Sequence, residues 1–207
     1  EAQLDPKAPT AKKLLDAGAK SEPVDRMKKP AMVYAAGQGN AEVLGLLLDR
    51  GVPIDAVGMQ CHLGLKTPDT HEVDRAIRDF AALGLKVMIT ELDVDVLPSR
   101  GDVGIADISR VEESDLKLDP YTNGLPDDVQ QQLAERYAGL FRVFFHHRKT
   151  ITRVTFWGLD DGHTWLNNFP IRGRTNHPLL INRELLPKPA FFAVMQAGKR
   201  KNRDYSE

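Results

Sequence analysis

The chain has 207 residues, 42% hydrophobic and 28% charged, with 28 Lys and Arg against 29 Asp and Glu and a formal net charge of -1. This is the mix of a globular chain rather than a disordered one, long enough to bury a sizeable core. It carries no broad basic field, which excludes nucleic acid as the main partner. A lone cysteine, Cys61, excludes an intramolecular disulfide framework and a cysteine-based zinc site. No apolar run approaches the roughly 20 residues of a membrane helix. The start, Glu1-Ala2-Gln3-Leu4-Asp5, has neither a basic nor an apolar stretch, so no signal peptide is visible.

The first elements in chain order repeat. Leu14-Leu15-Asp16-Ala17-Gly18 recurs as Leu47-Leu48-Asp49-Arg50-Gly51, an offset of 33 positions (47 minus 14). Each follows a short helical pattern, with Gly18 and Gly51 where a helix end wants positive φ. Helix pairs at this period have the ankyrin spacing. The stretch from Pro30 to Leu44, with Leu46-Leu47-Leu48 after it, resembles the core of an ankyrin repeat, and covers about one and a half repeats.

After residue 51 the pattern changes to alternating strands and helices. Val52 to Gln60 reads as a strand. Asp69 to Leu83 reads as a helix with Val73, Ile77, Phe80 and Ala81 on one face, ended by Gly84. Leu85 to Thr90 is a buried-type strand that ends on Glu91. Residues 97 to 128, rich in Pro, Gly, Asp and Ser, read as one long surface loop. Asp127 is placed to cap a helix from about Val129 to His147, with Leu133, Tyr137, Leu140, Phe141 and Phe144 inward. Ile151 to Trp157 reads as a further strand, and Lys188-Pro189-Ala190 opens a last helix through about Ala197. The alternation is that of parallel βα units.

In such architectures functional groups sit where strands end. Three strand ends are polar here: Gln60-Cys61-His62, Glu91-Leu92-Asp93, and Trp157-Gly158-Leu159-Asp160-Asp161. Alternation puts Gln60 with His62, and Glu91 with Asp93, on shared faces. Carboxylates beside an imidazole and indoles suit a sugar: acids for glycosidic chemistry, aromatic faces for pyranose rings. Other polar residues read differently. His146 and His147 read as a cationic helix end, and His71 is given no role. Arg172 and Arg174 face a polysaccharide or solvent with equal weight, and Cys61 packs as a small hydrophobe.

Thr90-Glu91-Leu92-Asp93 after Lys86-Val87-Met88-Ile89 resembles the nucleophile strand of glycoside hydrolase family 10, the endo-1,4-β-xylanases. Gly51 to His62 is similar to that family's sixth strand, with its Gln-x-His ending. Thr155-Phe156-Trp157-Gly158, with Asp161 and Trp165, resembles the eighth strand and its loop. Arg174, Pro178-Leu179-Leu180 and Pro187-Lys188-Pro189-Ala190-Phe191 resemble the closing segment and last helix. The resemblance runs in unbroken order from residue 51 to about 198.

It implies an α/β fold: the C-terminal portion of a (β/α)8 TIM barrel, its last three βα units, preceded by the short helical ankyrin-like segment. The expected organisation is 1–51 helical and ankyrin-repeat-like, 52–200 partial barrel, and 201–207 polar tail. The implied roles are Glu91 as nucleophile, His62 bonded to it, and Asp93 orienting His62. Gln60 is implied to contact the region between nucleophile and acid/base, and Trp157 and Trp165 to wall the sugar site. The implied activity is retaining hydrolysis of β-1,4-xylosidic bonds in xylan or xylo-oligosaccharide. Such hydrolysis needs two carboxyl groups about 5 to 5.5 Å apart. The family's acid/base lies in a Trp-x-x-x-Asn-Glu type segment that nothing in this sequence matches. The alternatives are a catalytically impaired carbohydrate-binding remnant and an ankyrin-type interaction module. No metal and no cofactor are expected, since no His, Asp and Glu cluster has ligand spacing. No nucleic-acid or membrane partner is expected either, and an open sheet edge implies self-association. The polymeric substrate implies a secreted or periplasmic protein.

Overall fold

The computed structural model describes residues 7–21, 23–24, 26–98, 112–113 and 117–203. The chain divides into two compact units, Glu1–Val57 with Arg75–Val87, and Gly58–Asp74 with Met88–Glu207.

The first unit begins with three helices, α1 (Lys7–Asp16), α2 (Ala31–Gly37) and α3 (Ala41–Leu48). The ends of α1 and α3 share one backbone pattern. After α1 the amides of Gly18 and Ala19 donate to the carbonyls of Leu15 and Leu14; after α3 those of Gly51 and Val52 donate to Leu48 and Leu47. Gly18 and Gly51 have φ of 86° and 77°, which lets the chain fold back over the helix end and cover its last carbonyls. Asn40 caps α3 by accepting from the Val43 amide at 3.0 Å. Arg50 pairs with Asp16. Leu44 and Leu47 are buried, whereas Leu14, Val33 and Tyr34 are exposed.

Helix α4 (Thr70–Ala82) starts on a reciprocal cap: the Asp69 amide donates to the Glu72 carboxylate at 2.7 Å, and the Glu72 amide to Asp69 at 2.8 Å. Val73, Ile77 and Phe80 are buried, as their spacing predicts.

The sheet comprises β1 (Ala56–Met59), β2 (His62–Gly64), β3 (Lys86–Asp95) and β5 (Ile151–Phe156), with β1, β2 and β5 all pairing with β3. Strand β2 runs parallel to β3, with His62 opposite Asp93 and Gly64 opposite Asp95. The Glu91 and Asp93 amides point to the β1–β2 side, and the Leu92 carbonyl accepts from Trp157 on the other. Strand β3 therefore lies between its neighbours. The strand expected over Val52 to Gln60 is the shorter Ala56–Met59, and Cys61, with a φ of 63°, separates it from β2. Strand β3 is longer than expected and carries Glu91 and Asp93 inside it rather than past its end.

Within the segment read as one long loop, Glu112–Glu113 form a short strand β4, paired in parallel with β6 (Ile171–Arg172). Residues 99–111 and 114–116 of that loop lie outside the described residues. Helix α5 spans Asp127–His146, and Asp127 is inside it rather than at its cap. Pro126 holds the cap position, its fixed φ of -58° setting the entry, and its carbonyl accepts from the Gln130 amide. His147, read as part of a cationic helix end, pairs with Asp74 at 2.6 Å. Helix α6 runs Pro189–Arg203, past the expected end at Ala197.

Leu133, Tyr137, Leu140 and Phe144 of α5 are buried, and Phe141 stacks on Phe156 with centroids 6.1 Å apart. The Tyr137 hydroxyl donates to the Pro178 carbonyl at 2.6 Å, tying α5 to the segment ahead of α6. Tyr137→Phe keeps the ring and strands that carbonyl, at a cost of about 1–3 kcal/mol. A lower midpoint in urea, with the folded circular dichroism unchanged, is the expected result.

Candidate active site

The functional face begins with alternation along β3. Leu92 and Val94 are buried on one face, and Glu91, Asp93 and Asp95 project from the other. Opposite them the neighbouring strand slips. Glu91 bonds to the Gln60 carbonyl at 3.0 Å and Asp93 to that of Cys61 at 3.3 Å, so two steps on β3 match one on its partner. This is a bulge, and bulges re-aim side chains. Here it brings Gln60 and His62 to the same carboxylate. The Gln60 amide lies 3.4 Å from Glu91 Oε1, and His62 Nε2 lies 3.1 Å from Glu91 Oε2.

His62 bridges the two acids, its Nδ1 lying 2.9 Å from Asp93 Oδ1. The other Asp93 oxygen accepts from the Trp165 indole at 2.7 Å. Exposure is graded along this chain: the side chain of Asp93 is 1% exposed, of His62 12%, and of Glu91 23%. The buried end is fully bonded and the open end is a carboxylate at the surface. Cys61 packs inward, and burial pushes its thiol up to about 12.

Burial draws the His62 imidazole down, but hydrogen bonds and charge from Asp93, then Glu91, outweigh it and leave it raised above its usual 6.5. Asp93 is also raised above the ordinary carboxylate range. Burial is the main cause, held back by the donors His62 and Trp165.

The aromatic wall is asymmetric. Trp165 lies 4.7 Å from the His62 ring centroid and stacks on Phe169 at 5.0 Å and 14°. Trp157 stands edge-on to His62 at 6.4 Å and is 45% exposed, an indole face open to a ligand. All six residues singled out from sequence, Gln60, His62, Glu91, Asp93, Trp157 and Trp165, converge here. Phe169 joins them, signalled only by its spacing four residues after Trp165.

Arg174 does not face solvent or a ligand as expected. It is 4% exposed, with one nitrogen 3.2 Å from Asp95 and another donating to the Pro98 carbonyl at 2.9 Å. Arg172 is exposed. Asp161 is buried against Lys188 Nζ at 2.8 Å and accepts from the Leu179 amide, and so ties down the segment ahead of α6. Among the described residues, no group of three or more His, Cys, Asp or Glu side chains is placed to hold a metal ion, and no helix is long and apolar enough to cross a membrane.

Residues 33–197 match glycosyl hydrolase family 10. Over 146 residues the chain is 42% identical to endo-1,4-beta-xylanase A of Xylanibacter ruminicola, covering 70% of this chain and 40% of that protein. It is 40% identical over 149 residues to an endo-1,4-beta-xylanase of Geobacillus stearothermophilus, covering 72% and 40%. Among solved structures, a GH10 endoxylanase retrieved from a sugarcane soil metagenome has 42% identity and a TM-score of 0.72, covering 79% of this chain and 46% of that one. A mutant solved in complex with xylotriose has 36% identity and a TM-score of 0.59, covering 75% and 43%. The chain thus spans about 40% of the length of the curated relatives it matches.

A raised imidazole stabilises the fold most when it is charged. The stability His62 contributes is fully present below its unfolded value near 6.5 and is lost as pH rises through the higher folded value. The difference in unfolding free energy between the native chain and His62→Gln is therefore expected to be largest near pH 6 and to shrink toward pH 8.5. Urea titrations across that range measure it, and a difference that grows with pH contradicts the assignment.

Proposed function

Since the chain belongs to glycosyl hydrolase family 10, we propose that its site performs the nucleophilic half of retaining hydrolysis of β-1,4-xylosidic bonds, with Glu91 as the nucleophile. The observation that carries this is the graded relay: Glu91 at the surface, His62 behind it, and Asp93 buried and fully bonded. Oε2 of Glu91 is held by His62, and among the described residues Oε1 has only the long contact from Gln60. Oε1 is therefore the oxygen left to bond the anomeric carbon and form the glycosyl-enzyme. His62 fixes the carboxylate's rotation and Asp93 fixes the ring, so Glu91 meets the sugar without reorganising. Trp157 and Trp165 supply the faces on which xylose rings stack, and Gln60 contacts the sugar beside the scissile bond.

The substrate class is xylan or xylo-oligosaccharide, in keeping with the xylanase relatives and the xylotriose complex of the similar structure. A substrate that is a polymer of that size supports the reading of a secreted or periplasmic protein. In this reading residues 52–200 form the last three βα units of a (β/α)8 barrel and residues 1–51 an ankyrin-repeat-like helical segment without a catalytic part. The family's acid/base segment has no match in this sequence, so the reading concerns the nucleophilic half, and proton donation to the departing oxygen is no part of it.

This chain is accordingly expected to turn over an aryl xylobioside, whose leaving group departs unprotonated, far faster than polymeric xylan. Glu91→Ala is expected to abolish that turnover, and turnover that survives it excludes Glu91 as nucleophile. The half-exposed Trp157 favours one second reading, a module that binds xylan without cleaving it. Retention on insoluble xylan with no release from the aryl substrate selects that reading.

Among the described residues strand β5 has one strand neighbour, β3, and we propose that the chain self-associates through the sheet's outer strands. Light scattering is expected to give a mass above that of one 23.1 kDa chain, and a monomer at high concentration counts against it.

A further inference from the structure

Trp165 belongs to a helix too short to stand by itself. The 3-10 helix η1 spans Trp165–Asn167, three residues between polar loops. Such a turn has almost no intrinsic stability, so its contacts set its position. Its first residue supplies the donor that satisfies Asp93, and its last is Asn167, 9% exposed, which spends its whole bonding capacity locally. Nδ2 donates to the carbonyls of Asp161 at 3.1 Å and Gly162 at 3.2 Å, in the loop entering η1. Oδ1 accepts from the Asn176 amide at 3.0 Å and from Arg183 at 2.9 Å, in the segment leaving it. Two donors facing carbonyls and one oxygen facing two donors fix the amide's orientation.

Asn176, fully buried, carries the path onward. Its Nδ2 donates to Asp95 Oδ1 at 2.7 Å, and its Oδ1 accepts from the Val96 and His177 amides. Asp95 lies two residues beyond Asp93 on the same face of β3. We propose that Asn167 is a positioning residue of the site, closing a ring that runs by hydrogen bond from Asp93 to Trp165, along the η1 backbone to Asn167, and by hydrogen bonds through Asn176 back to Asp95 on the same strand. The ring holds the indole N–H on Asp93, and through Asp93 it holds His62 against Glu91. The Asn167 side chain hydrogen-bonds to Asp161, Gly162, Asn176 and Arg183, none of them assigned to the sugar, and it acts through the placement of η1. As a statement about catalysis this rests on the proposed role of Glu91; as a statement about geometry it does not.

The test reads geometry and turnover separately. The chain has two tryptophans, so Trp157→Phe assigns the Trp165 indole signal in a ¹⁵N-labelled sample. Asn167→Asp replaces the Nδ2 donor with an acceptor facing two carbonyls. It is expected to move that signal upfield and to speed its exchange with water by roughly fivefold to tenfold, the fold-change carried by the net worth of one hydrogen bond. Arg183→Met removes one of the two donors to Asn167 and is expected to produce a smaller shift in the same direction. If both variants are less stable yet leave the indole signal and its exchange in place, Asn167 is merely structural and the proposal is overturned. Should Asn167→Asp not fold, Arg183→Met decides on the same criterion. Hydrolysis of the aryl xylobioside is followed on the same samples. A moved indole signal in a chain that never turns over upholds the ring and removes the catalytic reading. An unmoved signal in an active chain does the reverse.

Discussion

The arrangement depends on one buried carboxylate. Asp93 sits mid-strand, 1% exposed, where an unpaired charge is strongly unfavourable. It is tolerated because His62 and Trp165 each occupy one of its oxygens. The requirement propagates outward. A donor from the neighbouring strand needs the bulge at Cys61, and a donor from the loop after β5 needs a folded η1. With both in place, His62 has its second nitrogen turned toward Glu91, and that glutamate is the only acid of the three groups left open to solvent. Position and reactivity are set by where burial stops.

The second unit uses the same device more than once. Asp95 meets Arg174, and Asp161 meets Lys188, both in the long segment between β5 and α6. Burial lifts the Asp161 carboxyl and lowers the Lys188 ammonium, each opposed by the partner's charge. Such pairs add little net stability, because desolvation offsets much of their attraction. What they contribute is a single geometry for a segment with little regular secondary structure. A loop built on apolar contacts alone can slide, whereas one tied by paired ions and saturated amides has few alternatives of similar energy.

How much of this was legible beforehand follows from the range of the interactions. The alternation of Leu92 and Val94 with Glu91 and Asp93 is a property of consecutive residues, and it shows in the sequence. The helix ends at Gly18 and Gly51 are equally local. The bulge is not, since nothing about a cysteine announces a positive φ. Arg174 is hidden for a related reason: a charged residue reads as solvated until a partner distant in the chain is known, here Asp95. The end of strand β3 is hidden because its polar residues Glu91, Asp93 and Asp95 face the site from within the strand. The six site residues were legible through family resemblance, whereas Asn176 and Phe169 carry no signal of their own beyond spacing.

The left-handed residue at the bulge also makes the chain self-reporting. Cys61 is its sole thiol, buried between Gln60 and His62, with a proton that burial keeps on past any physiological pH. A thiol held neutral and covered reacts with an alkylating reagent only while the strand around it is open. The rate of labelling in native buffer is then a clock for how often the two site residues flanking Cys61 part from β3, readable without a substrate.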